Sequence, residues 1–286
     1  MSNLIAEESW GLSDGVLIRA LKEDIGSGDI TSSSLIPENH TSRAVFIAKS
    51  GFVLAGVPFA ERVFKLVDGG IQFKALKKEG SRIKAGDVIA KIKGDTKGLL
   101  TAERTALNML QRLSGIATLT DRYVKSVKGH GVKITDTRKT VPGLRFFDKY
   151  AVRIGGGSNH RYGLFDGVLI KDNHIAVSGG AGKAVKLARS KAHHLLKIEV
   201  EVKNLSEVKE ALSAGADVIM LDNMMVREIK KAVDFIRGKK PDLIIEASGN
   251  INLDNAGKIA GTGVDLISVG YITHSVRAAD ISMKFN

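Results

Sequence analysis

The chain has 286 residues, 43% of them hydrophobic and 5% aromatic, enough to bury a full core in one large or two modest domains. Its formal net charge of +12 admits a nucleic acid, an anionic membrane surface or phosphorylated small molecules as partners. Only four Tyr and one Trp are present and the cations are spread along the chain, which disfavours nucleic acid; the absence of cysteine excludes disulfides, thiolate nucleophiles and cysteine-ligated metal centres.

Met1–Trp10 is acidic and has no basic-then-apolar signal pattern, and no apolar run has the length of a membrane span, so a cytoplasmic location is expected. From about Leu35 to Gly98, short stretches such as 43–48 and 87–92 alternate apolar and polar residues between glycines, which predicts antiparallel strands. Within this region, 79–88 looks like half of a lipoyl- or biotinyl-type hammerhead. No lysine occupies the turn that a carrier needs, so a structural role is expected.

At Thr101 the period changes. Leu107, Leu110, Leu113, Ala117 and Val124 recur at helical spacing, predicting a helix from Thr101, as its cap, to about Val127, with a domain boundary near its start. Short apolar runs then alternate with amphipathic stretches such as 204–214 and 226–236. The runs are 132–134, 167–170, 198–202, 217–221, 243–245 and 265–269, and this alternation means parallel strands with right-handed crossovers. With Ala151–Ile154 counted there are about seven strand candidates, fewer than a standard α/β barrel contains, which leaves an incomplete or smaller barrel or an open sheet.

Polar residues stand where these runs stop: Asp136 to Lys139, Lys171, Glu201, Asp222, Ser248 and Gly270. Strand C-termini are where barrel enzymes place their chemistry. Two loops add clustered cations, Thr137-Arg-Lys-Thr-Val-Pro-Gly143 and Gly155-Gly-Gly-Ser-Asn-His-Arg161, suited to a small ligand with several separate negative charges. Lys171, leaving a buried strand, requires an anion, either a ligand or a carboxylate such as Glu201 or Asp222. Those two carboxylates in a phosphate site suggest magnesium, which prefers oxygen and shares its shell with substrate phosphates. Ser248-Gly249-Asn250 and Gly270 to His274 are turns of the kind that contact phosphate. Gly179–Lys183 lacks the spacing of a phosphate loop, no dinucleotide fingerprint occurs, and His193-His194 reads as surface.

These motifs, together with Leu169-Ile-Lys-Asp-Asn-His174, Glu199-Val-Glu201, Leu221-Asp-Asn223, Ala247-Ser-Gly249 and Val269 to Ser275, resemble the quinolinate phosphoribosyltransferase family, also called carboxylating nicotinate-nucleotide diphosphorylases. The resemblance runs from Glu23 onward in the family's order. It implies an N-terminal α/β open sandwich (1–105, with 276–286 packing back on it) followed by an irregular, incomplete parallel α/β barrel (106–275). It also implies a homodimer in which Arg104 is donated to the neighbouring site, although charge statistics alone make Arg104 a solvated helix residue. The implied reaction transfers phosphoribose from phosphoribosyl pyrophosphate to quinolinate with decarboxylation, in de novo NAD biosynthesis. Lys139, Lys171, Glu201 and Asp222 are the implied catalytic residues. The resemblance further implies that Arg104, Arg138, His160, Arg161, Ser248, Gly249, Gly270 and His274 bind substrate, and that Glu201 and Asp222 hold Mg2+ brought largely by the substrate phosphates. The alternatives are a molybdenum-uptake-associated relative of the same fold, a nicotinate phosphoribosyltransferase, and a basic nucleic-acid-binding protein, which would show salt-sensitive retention and no turnover.

Overall fold

The computed structural model describes residues 2–285, with side chains from Ser13 onward; the side chains of the acidic Met1–Trp10 stretch lie outside the described residues. The chain begins with α1 (Ser2–Ile25), α2 (Ile30–Leu35), β1 (Thr41–Ala48), β2 (Phe52–Val53), α3 (Val57–Val67), β3 (Gln72–Ala75), β4 (Arg82–Ile83) and β5 (Val88–Asp95). It continues with α4 (Thr96–Ser126), β6 (Lys133–Thr135), α5 (Arg145–Ile154), β7 (Val168–Ile170), α6 (Asp172–Ser178), α7 (Ala181–Lys191), β8 (Ile198–Val202) and α8 (Leu205–Ser213). The last elements are β9 (Val218–Asp222), α9 (Val226–Lys239), β10 (Ile244–Ser248), α10 (Ala256–Ala260), β11 (Leu266–Ser268), α11 (Tyr271–His274) and β12 (Ile281–Phe285). No helix of the described residues is long and apolar enough to cross a membrane.

Two compact units form, one from 1–119, 141–155 and 275–286 and the other from 120–140 and 156–274. The domain boundary expected at 105/106 falls inside α4, which begins in the first unit and ends in the second. Thr101 is not its cap. The helix starts five residues earlier, where Asp95 Oδ2 accepts the Gly98 amide at 2.8 Å, and Gly98 in the first turn hides that start from a periodicity reading.

The first unit carries an antiparallel sheet in the order β12-β1-β5-β3, against which Phe46, Phe64 and Phe73 cluster. The hammerhead-like segment is structural here: Glu79 accepts the amides of Gly56 and Val57 at the start of α3, and the Tyr150 hydroxyl donates to it at 2.8 Å. Ala151–Ile154, expected as a strand, is the end of α5. Phe147, Asp148, Ala151 and Val152 recur at helical spacing on its buried face, and Phe146, Phe147 and Tyr150 stack on Phe59, so aromatic packing overrides the β-branched tetrapeptide.

The second unit is an incomplete α/β barrel. Six parallel strands run in the order β6-β11-β10-β9-β8-β7, and a single parallel bridge between Thr135 and Ser158 extends the β6 edge. On one face Ile198, Val200, Val202, Ile219, Leu221, Ile245 and Ala247 are fully buried, each large aliphatic contributing about 1.5–3 kcal/mol. Helices α7, α8 and α9 supply buried partners in Val185, Val208, Ile229 and Ile236. Pairing is fixed at the strand starts by a repeated device: Asp217 accepts the Ile198 amide and pairs with Arg189, and Asp265 accepts the Ile245 amide and pairs with Arg237.

Candidate active site

Period-two alternation sends Glu199 and Glu201 of β8, Met220 and Asp222 of β9, and Glu246 and Ser248 of β10 to the face opposite that aliphatic layer. Parallel register places Glu201 beside Met220, Met220 beside Glu246, and Asp222 beside Ser248. The strand C-termini thereby line an open cavity of about 740 Å3. Of the residues expected at a site, Arg138, Lys139, His160, Arg161, Lys171, Glu201, Asp222, Ser248, Gly249, Gly270 and His274 all line it. Arg104 does not: it is an exposed residue of α4 in the first unit. His193 and His194 are exposed.

The lining carries the permanent cations Arg138, Lys139, Arg161 and Lys171 against the carboxylates of Glu201 and Asp222. Lys171 Nζ donates to Glu201 Oε2 at 2.6 Å, so the anion that this lysine requires is in part already supplied by the protein. Arg161 Nη1 donates to the Gly167 carbonyl at 3.0 Å. Burial pushes the Arg161 guanidinium below its ordinary value, and the charge of Arg138 adds to the effect. A bound anion relieves both effects, because it restores the lost solvation and screens the two guanidinium groups from each other.

The turns are built for close approach. Asn223, Gly249 and Asn250, which follow β9 and β10, all have left-handed backbone, with φ of 55°, 86° and 50°. A Cβ on Gly249 would stand 2.3 Å from Asn223 Oδ1 and 2.8 Å from its amide nitrogen. Asn223 Nδ2 donates to Asp222 Oδ2 at 2.9 Å while its Oδ1 accepts from Asn250 Nδ2 at 3.0 Å, so the asparagines hold the Asp222 carboxylate in place. At Gly270 a Cβ would lie 2.9 Å from Lys139 Cδ, so glycine leaves room for the stem of the lysine.

Beneath the rim lies a second set of polar groups. Asp136, fully buried, accepts the Asn159 amide side chain at 2.5 Å and the His160 backbone amide at 2.9 Å. The His160 ring accepts the Arg161 amide on Nδ1 at 2.8 Å and turns Nε2 toward Glu199 Oε2 at 3.1 Å and Glu246 Oε2 at 3.7 Å. One nitrogen and two carboxylates at this spacing have the composition of a metal site. A metal on Nε2, with Nδ1 already an acceptor, would demand an imidazolate, so the cluster is a proton-linked one.

The family models for the quinolinate phosphoribosyl transferase N-terminal and C-terminal domains match residues 29–114 and 116–284. The chain belongs to the quinolinate phosphoribosyltransferase family. It is 46% identical over 261 residues to a probable carboxylating nicotinate-nucleotide pyrophosphorylase of Bacillus subtilis, covering 91% of this chain and 89% of that one. A protein of the same description from Methanocaldococcus jannaschii is 44% identical over 274 residues, with 94% and 95% covered. The solved nicotinate-nucleotide pyrophosphorylase of Francisella tularensis superposes with a TM-score of 0.91 at 43% identity, over 96% of each chain.

Sequence reasoning toward this family leaves out Glu246 and gives Thr137 and Asn223, quoted in its motifs, no role of their own; the fold brings all three to or beneath the cavity. For Glu246 a signal exists: a charged residue between Ile245 and Ala247 in an apolar strand is costly unless something at the site needs it.

Proposed function

We propose that the protein transfers the phosphoribosyl group of phosphoribosyl pyrophosphate to quinolinate and decarboxylates the adduct, giving nicotinate mononucleotide, pyrophosphate and carbon dioxide for NAD biosynthesis. The observation that carries this reading is the pair of guanidinium groups, Arg138 and Arg161, set with Lys139 and Lys171 opposite Glu201 and Asp222 in one cavity. A pyridine dicarboxylate needs the arginines, since a planar fork binds a carboxylate through two hydrogen bonds. A ribose with a departing pyrophosphate needs the lysines for its phosphates and the carboxylates for its hydroxyls.

Glu201 and Asp222 offer oxygen donors only, on neighbouring strands, which fits Mg2+ carried in with the diphosphate. When bound, the ion would neutralise charge on the leaving pyrophosphate. As the bond from the anomeric carbon to pyrophosphate oxygen breaks, positive charge grows on that carbon, and the fixed carboxylates stabilise it. The quinolinate nitrogen donates its electron pair to the carbon and becomes formally positive. The adjacent carboxylate then leaves as carbon dioxide, its electron pair remains on the ring carbon beside the cationic nitrogen, and a proton from solvent fills it. No covalent nucleophile is required; Arg138 and Arg161 act by holding the ring in line. Ser248, Gly249, Gly270 and His274 line the phosphate side in this reading.

We further infer a homodimer in which Arg104 reaches the neighbouring subunit's cavity. In support, Arg104 is exposed on α4, does not line the active-site cavity of its own chain, and stands in the Leu100-Thr-Ala-Glu-Arg-Thr sequence of the family's motif.

The test is to incubate the purified protein with magnesium, phosphoribosyl pyrophosphate and either quinolinate or nicotinate, following mononucleotide and carbon dioxide together. Equal yields of both products from quinolinate alone are expected. Turnover of nicotinate, or no turnover by folded protein, would refute the assignment.

A further inference from the structure

The buried cluster beneath the cavity is not explained by substrate binding alone. Glu246 is 1% exposed on a central strand, where an aliphatic residue would pack at lower cost. Its neighbour across the cluster, Glu199, is also buried, and Oε1 of each lacks a hydrogen-bond partner. Burial, and then the charge of Glu199, hold the Glu246 carboxyl up at about 7.

Both carboxyl groups turn an Oε2 toward His160 Nε2, at 3.1 Å from Glu199 and 3.7 Å from Glu246. Because the Arg161 amide donates to Nδ1, the ring proton sits on Nε2 and points into the carboxylates. Each group in the line is thus both held and holding: carboxyl pair, imidazole, Arg161 amide. Asp136 anchors the same loop from the other side through the His160 amide.

We propose that Glu246 is a positioning residue for the quinolinate end of the site: with Glu199 it fixes the His160 ring from beneath, and through that ring the Arg161 backbone, so that the Arg161 guanidinium meets the substrate carboxylate in one orientation. The role of His160 is then to transmit this restraint, its ring nitrogens being turned to protein rather than to ligand. The kinetic half of the proposal rests on the function proposed above; the tautomer half does not.

The experiment labels the full-length protein with 15N-histidine and records long-range 1H–15N correlations near pH 7.5, with His160 assigned by the signal lost in His160→Gln. The wild type should show a neutral ring protonated at Nε2. Glu246→Gln, which keeps the shape and an acceptor oxygen, should preserve that pattern, whereas Glu246→Leu should scramble it. In steady-state assays Glu246→Leu should raise KM for quinolinate about tenfold while leaving KM for phosphoribosyl pyrophosphate within about twofold, and Glu246→Gln should restore most of the loss. A wild-type His160 protonated at Nδ1, or doubly protonated, would overturn the proposal even if Glu246→Leu fails to fold. So would a Glu246→Leu enzyme with unchanged tautomer and unchanged KM for quinolinate, or one in which both KM values rise together. Absence of turnover in the wild type, with the expected tautomer, would instead count against the assigned reaction and leave the positioning cluster standing.

Discussion

Arg138 and Arg161 make the clearest case for chemistry at the level of single residues, because they share the cavity lining with two further cations, Lys139 and Lys171, and with two carboxylates, one of which is already paired with Lys171. Truncating Arg138 to Ala should lower kcat/KM for quinolinate by roughly 100-fold or more, read by initial rates, since a charge-assisted, two-pronged contact is lost. Undiminished quinolinate kinetics would remove it from the substrate. Glu246 gives a stability prediction of its own. Its carboxyl is raised from 4.5 to about 7, so the folded state binds the proton more tightly than the unfolded one. Stability therefore falls as pH rises from about 4.5 to about 7, and the loss persists above that range. Glu246→Gln, neutral at every pH, should match the wild type near pH 5 and melt at a higher temperature near pH 8; equal melting temperatures at both would show that Glu246 carries no such burden.

Among elements, the turns after β9 and β10 convert local strain into a fixed carboxylate. Gly249→Ala should destabilise the protein by about 1–3 kcal/mol, since it forces a Cβ into Asn223 at a left-handed φ. Because Asn223 also holds Asp222, turnover should fall further than the loss of folded protein explains. Calorimetry beside kcat separates the two effects. The elements themselves were legible wherever a pattern was strong: the runs at 198–202 and 217–221 reappear as β8 and β9, and Glu201, Asp222 and Asn223 at their C-terminal ends line the cavity. Legibility failed where a tertiary partner decides the outcome. Ala151–Ile154 has β-branched residues, but Phe59 takes the aromatic face of a helix there. The start of α4 is set by Asp95, outside the periodic window. Glu246 belongs to the site only because β10 lies beside β9, a fact of sheet order that no local pattern contains.

For the whole molecule, the proposed exchange of Arg104 between copies gives a result that no single-site account produces. Arg104→Ala and Arg138→Ala homodimers should each be nearly inactive. Mixed and allowed to reassort, half the dimers become hybrids with one intact site, so activity should recover to about a quarter of the wild-type value, measured after subunit exchange. Persistent inactivity, with exchange verified, would put both arginines in the same site of one chain.

The first unit is assembled from three stretches of chain, and its sheet takes β12 as the neighbour of β1, with β12 tied to α4 where Gln111 donates to the Ile281 carbonyl at 2.7 Å and accepts the Ala279 amide at 2.9 Å. Gly115 makes that seat possible, since a Cβ there would stand 2.3 Å from the Arg277 carbonyl oxygen. The order of synthesis is therefore the reverse of the order of completion. A ribosome has translated every strand of the barrel before it makes the strand that finishes the sandwich, and until then the hydrogen-bonding edge of β1 stands open to any other nascent chain.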